Sequence, residues 1–166
     1  FFKQKTAYEI YQCDWSSDVC SSDLEEEAYE KLIDELEAHY PKMYARPYGG
    51  VCVSRGWWPI ITQLSFAINQ HMKRIEHRRN WCIEHGEEPP EPVEQVVVTQ
   101  IKEKFGGLRF YYDGGDEYIA GLVEMAEVWA ENSCEVCGAP GKNSNVRGWL
   151  QTLCETHAKE RNERTN

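Results

Sequence analysis

Four residues toward the C-terminal end carry the clearest chemistry in this 166-residue chain. Cys134 and Cys137 are separated by two residues, and Cys154 and His157 repeat that interval after a gap of sixteen. Two thiolates so spaced on a tight turn can put both sulfurs on one ion, and a second close pair completes four tetrahedral donors. Gly138 supplies the backbone freedom that such a knuckle needs, and Pro140–Gly141 turns the chain away from it. The spacing predicts a zinc ion held by Cys134, Cys137, Cys154 and His157. Its role is structural on this reading, because protein fills all four positions and leaves no place for a reacting water. Three core thiols beside a surface histidine, or a Cys134–Cys137 disulfide, are the alternatives. The polar run ENSCEVCGAPGKNSN gives little reason to bury thiols for packing.

A second group of side chains could hold an anion. Lys102, Lys104, Arg109 and Tyr111 fall on one face of a predicted hairpin, and three cations there would attract a phosphate. Arg109 is the sharpest of them, since a guanidinium offers a two-pronged fork. Upstream, Trp57 and Trp58 stand beside Arg55. One indole fills the core on this reading, and the other is spare to stack on a base. A solvated outer face is the plain alternative for the lysines. The cluster Lys73, Arg74, Arg78 and Arg79 reads first as a charged helix surface. Catalytic constellations are poor. His71, His77 and His85 lack metalloprotease spacing, no glycine run matches a phosphate loop, and Cys52 in Val51–Cys52–Val53 reads as a structural thiol rather than a nucleophile.

The elements that must position these groups follow from periodicity. Residues 25–39 predict a helix with Leu32, Ile33 and Leu36 on its apolar stripe, stopped by Pro41. Pro47 and Gly49–Gly50 mark a turn before the short strand at 51–53. Pro59 suits the first turn of a long helix whose stripe is Ile61, Leu64, Ile68, Met72 and Ile75, continuing to Cys82. Gly86 and EEPPEP end it. The period then changes to two, and Gly106–Gly107 between apolar runs predicts a hairpin that pairs Phe105 with Leu108, Lys104 with Arg109 and Lys102 with Tyr111. Val97, Thr99, Ile101, Phe105, Leu108, Phe110 and Tyr112 would then face the core, leaving Val96 and Val98 outside. Asp116 is the predicted N-cap of a third helix with the stripe Ile119, Leu122, Val123, Ala126 and Trp129–Ala130. The fold class is α+β: a small antiparallel sheet packed by helices over 25–132, then a treble-clef-like zinc module with a terminal helix over 133–166.

Residues 1–24 stand apart. FFKQKTAYEIYQCDWSSDVCSSD shows no sustained period, ends in a turn-forming Ser/Asp cluster, and resembles a translated sequencing adapter. This stretch is expected to be a non-native leader, with a short strand near Ala7–Tyr11 as the alternative. Without it, 16 Lys and Arg face 24 Asp and Glu, a charge of −8. That balance disfavours non-specific nucleic-acid or anionic-lipid binding. No apolar run is long enough to span a bilayer, and a handful of thiols fits a reducing, cytoplasmic setting better than a disulfide scaffold.

With RGWWPII, QIKEKFGGLRFYY, CEVCGAPG and LCETH in view, the chain resembles a group of uncharacterised small proteins of phages and prophages over roughly residues 50–157. The shared pattern falls on Gly56, Trp57, Lys102, Lys104, Phe105, Gly106, Leu108, Arg109 and the four metal ligands. The resemblance implies a role in the infected bacterial cell, such as antagonism of host defence by capturing a nucleotide immune signal. The expected function is therefore non-enzymatic binding of a small nucleotide-like anion. A nucleic-acid- or protein-binding adaptor using Arg74, Arg78 and Arg79, and a phosphodiester-cleaving enzyme, are the rivals. A homodimer is expected if Val96 and Val98 stay uncovered.

Overall fold

The computed structural model describes residues 23–45 and 50–163. The alternative strand near Ala7–Tyr11 and the turn residues Pro47 and Gly49 lie outside them. Helix α1 runs Asp23–His39 and buries Leu36, with Leu32 and Ile33 partly covered. The turn after it is anchored at both sides of the core. Met43 O accepts from Val98 N–H at 2.8 Å, and the Tyr44 hydroxyl meets Ser65 Oγ at 2.7 Å.

Strand β1 (Val51–Cys52) leads through a 3-10 turn at Arg55–Trp57 into α2 (Trp58–Glu84). Pro59 sits in the first turn of α2, where its missing N–H costs nothing. The apolar period of α2 places Ile61, Leu64 and Ile68 in the main core with almost no exposure. Cys52, read from the sequence as a separate thiol, is instead disulfide-bonded.

Strands β2 (Glu94–Lys104) and β3 (Gly107–Gly115) form the hairpin, and β1 adds to β2 in parallel, so the sheet order is β1-β2-β3. The small sheet is thus mixed, with its long pair antiparallel. The turn is Phe105–Gly106, one residue earlier than expected. Lys104 pairs with Gly107 and Lys102 with Arg109. Both central residues have positive φ, 56° at Phe105 and 74° at Gly106, the signature of a type I′ turn whose twist suits the strands. The turn therefore leaves the Phe105 side chain in solvent, not in the core.

The register also shifts between Val98 and Gln100. One extra residue on β2 exchanges the two faces, because side chains alternate with period two. Val96, Val98 and Ile101 consequently all reach the core at 0% exposure, while Val97 and Thr99 are only half-buried. This corrects the expected facing of the N-terminal half of β2, and Val96 and Val98 offer no uncovered face for a second copy of the chain.

Helix α3 (Glu117–Ala130) is capped by Asp116, whose carboxylate accepts from Ile119 N–H at 2.9 Å. It buries Ile119, Val123, Ala126 and Ala130. Trp129, expected on that stripe, is exposed instead. The chain closes with the hairpin β4 (Lys142–Val146) and β5 (Trp149–Leu153) and helix α4 (Glu155–Glu163). The α+β class holds, and Val146 and Leu153 form a second small core with Cys134 beside the main one.

Candidate metal centre

The knuckle begins where α3 ends. Gly138 N–H donates to Cys134 O at 2.8 Å, Cys134 N–H donates to Ala139 O at 2.7 Å, and Gly138 adopts φ of 76° to close the loop. That conformation suits a residue without Cβ. The β4–β5 hairpin then carries the chain out and back, and Cys154 follows directly on β5. His157 lies in the first turn of α4, where Ala158 N–H donates to Cys154 O at 2.9 Å. The order of knuckle, hairpin and helix is that of a treble clef, with two ligands from the knuckle and two from the helix start.

The side chains converge. Cys134 Sγ lies 3.4 Å and Cys154 Sγ 3.2 Å from His157 Nδ1, and Cys137 Sγ lies 3.9 Å from Cys154 Sγ. All four donor atoms fall within 4.8 Å of one another, so the group can hold one metal ion. Cys134 and Cys137 are both free thiols, which sets aside the disulfide alternative. His157 Nε2 stands 4.0 Å from the Glu160 carboxylate on its outer side, an arrangement that favours a proton on Nε2 and a free lone pair on Nδ1.

The electrostatics also suit a cation. The backbone N–H of His157 above all, helped by the His157 ring and the other sulfurs, lowers the Cys154 thiol to about 7. At Cys137 the Ala139 N–H works in the same direction. Burial and the neighbouring sulfurs of Cys134 and Cys154 outweigh it, so that thiol sits above its usual value. Crowded sulfurs cannot all ionise cheaply without a positive charge among them. Between the two knuckle cysteines, burial pushes Glu135 up to about 7, with Arg161 lowering it and Glu103 raising it. Its Oε1 accepts from Gln151 at 3.0 Å, whereas Oε2 has no partner among the described residues.

The module is joined to the main core by backbone contact. Gly56 N–H donates to Glu135 O at 2.7 Å, and the Trp57 indole donates to Ser133 O at 2.8 Å. On the other side, Thr152 Oγ1 donates to Gly106 O at 2.6 Å and Asn143 Nδ2 to Phe105 O at 2.8 Å. The C-terminal module therefore grips both the entry to α2 and the tip of the core hairpin.

The expected anion site is only partly assembled. Lys102, Lys104, Arg109 and Tyr111 do share one face of the hairpin, because the change of turn moves the pairing by an even number of residues. Lys102 Nζ lies 5.3 Å from the Tyr111 ring centre, and Lys104 is exposed. Arg109, however, faces Glu127 at 3.5 Å, and the same carboxylate accepts from Phe110 N–H. Arg55 is exposed at the start of the 3-10 turn. Trp57 and Trp58 are both core residues, 0% and 3% exposed, so neither indole is spare for stacking. Two adjacent rings can be buried together here because the 3-10 turn passes directly into α2.

One cluster is brought together by the fold alone. His71, in α2, places Nε2 2.7 Å from Asp116 Oδ2, receives Arg74 Nη2 on Nδ1 at 2.9 Å, and stacks on Tyr118 at 4.3 Å. An arginine can only donate, so Nδ1 is the acceptor and Nε2 carries the proton toward Asp116. Burial opposes ionisation of Asp116, but the bonds from His71 and Ile119 overcome it and hold its pKa low. These partners are 45 residues apart, and no local spacing announces them. The pair ties α2 to the cap of α3.

No protein-family model, curated protein or solved structure matches this chain. No helix among the described residues is long and apolar enough to cross a membrane.

Proposed function

We propose that this protein is a zinc-stabilised binding protein rather than an enzyme. The observation that carries the zinc reading is the shape of the four-donor set. A tetrahedral zinc with ordinary bond lengths spans about 3.8 Å between sulfurs and about 3.5 Å between sulfur and nitrogen. Three of the six separations, 3.9, 3.4 and 3.2 Å, lie close to those edges, and all six fall within 4.8 Å. Three thiolates and an imidazole form a closed, sulfur-rich set that favours zinc over magnesium or calcium and leaves no vacancy for substrate. Cys134, Cys137, Cys154 and His157 would hold the ion. When bound, it neutralises the crowded thiolates and ties knuckle to helix. The chain's own contribution is to transmit that rigidity through Gly56, Trp57, Asn143 and Thr152. Elemental analysis of purified protein tests the reading: one zinc per chain supports it, and a chain that binds no zinc with its thiols reduced refutes it.

The ligand class proposed is a small nucleotide-like anion, in line with the phage-protein resemblance and its implied capture of an immune signal. What supports the hairpin face as its seat is the pairing of Lys102 with the exposed Tyr111 ring, with Lys104 beside them. Tyr111 replaces the buried indoles as the ring on which a base would stack. Titration calorimetry of zinc-loaded protein against cyclic and ADP-ribose-type nucleotides tests it. Saturable binding weakened by Lys102→Ala and Tyr111→Ala supports the proposal; heat of dilution alone across the panel overturns it.

A further inference from the structure

A concavity lies away from both regions, between the end of α1, the middle of α2 and the start of β2. Its volume is about 580 Å³ and it is partly open to solvent. That size falls in the range that holds a small organic ligand. Met43, Met72, Ile75 and Val93 give it an apolar lining, and two thioethers let that lining adapt to shape. Three cations, Lys42, Lys73 and Arg79, stand around it against a single carboxylate, Glu76. The chain as a whole carries a net charge of −10, so this local excess of positive charge runs against the average surface.

Two further features make the site more than a gap between elements. Among the described residues no carboxylate pairs with Lys42 or Lys73, so both ammonium groups remain available. Arg79 is held by donation to Pro90 O, which fixes the guanidinium at the rim while leaving other N–H groups unspent. The wall formed by the turn after α1 is anchored through Met43 O to β2 and through Tyr44 to α2, so the groove exists before anything enters it. We infer that this groove binds a small organic anion, with its acidic head on Lys42, Lys73 and Arg79 and its apolar body against Met72 and Val93.

The assignment does not depend on zinc identity or on the hairpin face, and the test separates them. Zinc-loaded full-length protein is titrated with 8-anilinonaphthalene-1-sulfonate and with N-phenyl-1-naphthylamine, which has the same body without the sulfonate. The sulfonate is expected to bind at one site per chain and to weaken about tenfold in Lys73→Glu and again in Lys42→Glu. The neutral probe should bind more weakly and respond to neither change. Lys104→Glu, on the hairpin face, is expected to leave both affinities unchanged. Equal affinity for the two probes overturns the inference, as does sulfonate binding that ignores Lys42 and Lys73 or that is lost with Lys104→Glu. Near-ultraviolet circular dichroism checks that the variants keep the native fold, since both lysines are exposed.

Discussion

Gly56→Ala should be among the most damaging single-methyl changes this chain can suffer. A Cβ built at Gly56 comes 2.2 Å from Cys134 O, 2.6 Å from Glu135 O and 2.6 Å from Gly138 N. All three are backbone atoms of the knuckle and none can rotate aside. Relief requires the module to move by roughly 1 Å, away from the steep part of the repulsive wall. That movement breaks the 2.7 Å bond from Gly56 N–H to Glu135 O and the 2.8 Å bond from Trp57 to Ser133 O. Overpacking costs about 1–3 kcal/mol and each of the two lost hydrogen bonds about 1 kcal/mol, so a loss of about 3–5 kcal/mol is expected. For a chain of this size that lowers Tm by roughly 10 °C. Calorimetry with zinc in excess measures it, and competition with a chromogenic chelator reports metal affinity in parallel. Gly121→Ala is the control, because its Cβ meets nothing within 4 Å and α3 gains helix propensity, worth about 1 kcal/mol of added stability. A Gly56→Ala protein as stable as the parent would refute the claim that module and core meet backbone to backbone at this point.

Other outcomes follow from the same geometry. Cys154→Ser should abolish stoichiometric zinc binding and lower Tm, whereas Cys82→Ser should leave the zinc content of the purified protein unchanged. Zinc should also dissociate as pH falls, because protons compete for the thiolates and imidazole, and a pH titration of bound metal reads this directly. Phe105→Asn should stabilise by about 1 kcal/mol, since asparagine tolerates the left-handed conformation and the exposed ring contributes little burial. A fall in urea midpoint would contradict that. Asp116→Ala should cost about 2 kcal/mol by removing the α3 cap and a partner of buried His71. The Asp116 pKa is depressed in the folded state, so its contribution is full above the unfolded value near about 4 and disappears as pH drops through the folded value. The stability difference between parent and variant should therefore shrink only in strong acid.

Local chemistry made a large part of this protein legible in advance. The four donors that could hold a metal ion announce themselves because a knuckle is a short-range object: two donors on one turn, a glycine where φ must be positive, and a second pair at the start of a helix. Helices α2 and α3 were readable for a similar reason, since Ile61, Leu64 and Ile68, or Ile119, Val123 and Ala126, repeat at the period that puts them on one side. Asp116 could be named as a cap from its place before that repeat.

Tertiary structure decided what depends on pairing across distance. The turn fell on Phe105–Gly106 because Asn143 and Thr152, some forty residues later, hold the two carbonyls of that turn. The extra residue between Val98 and Gln100 brings Val96, Val98 and Ile101 to one core, a compensation invisible to strict alternation. Trp57 and Trp58 were both claimed by packing once the knuckle supplied Ser133 O for the first indole. Arg109 was drawn to Glu127 on a helix, and His71 met Asp116, through approaches that no spacing encodes. Residue type and interval thus determine which groups can bind a metal or form an element; only the folded chain determines which of the remaining polar groups are already satisfied, and hence which are left to meet a ligand.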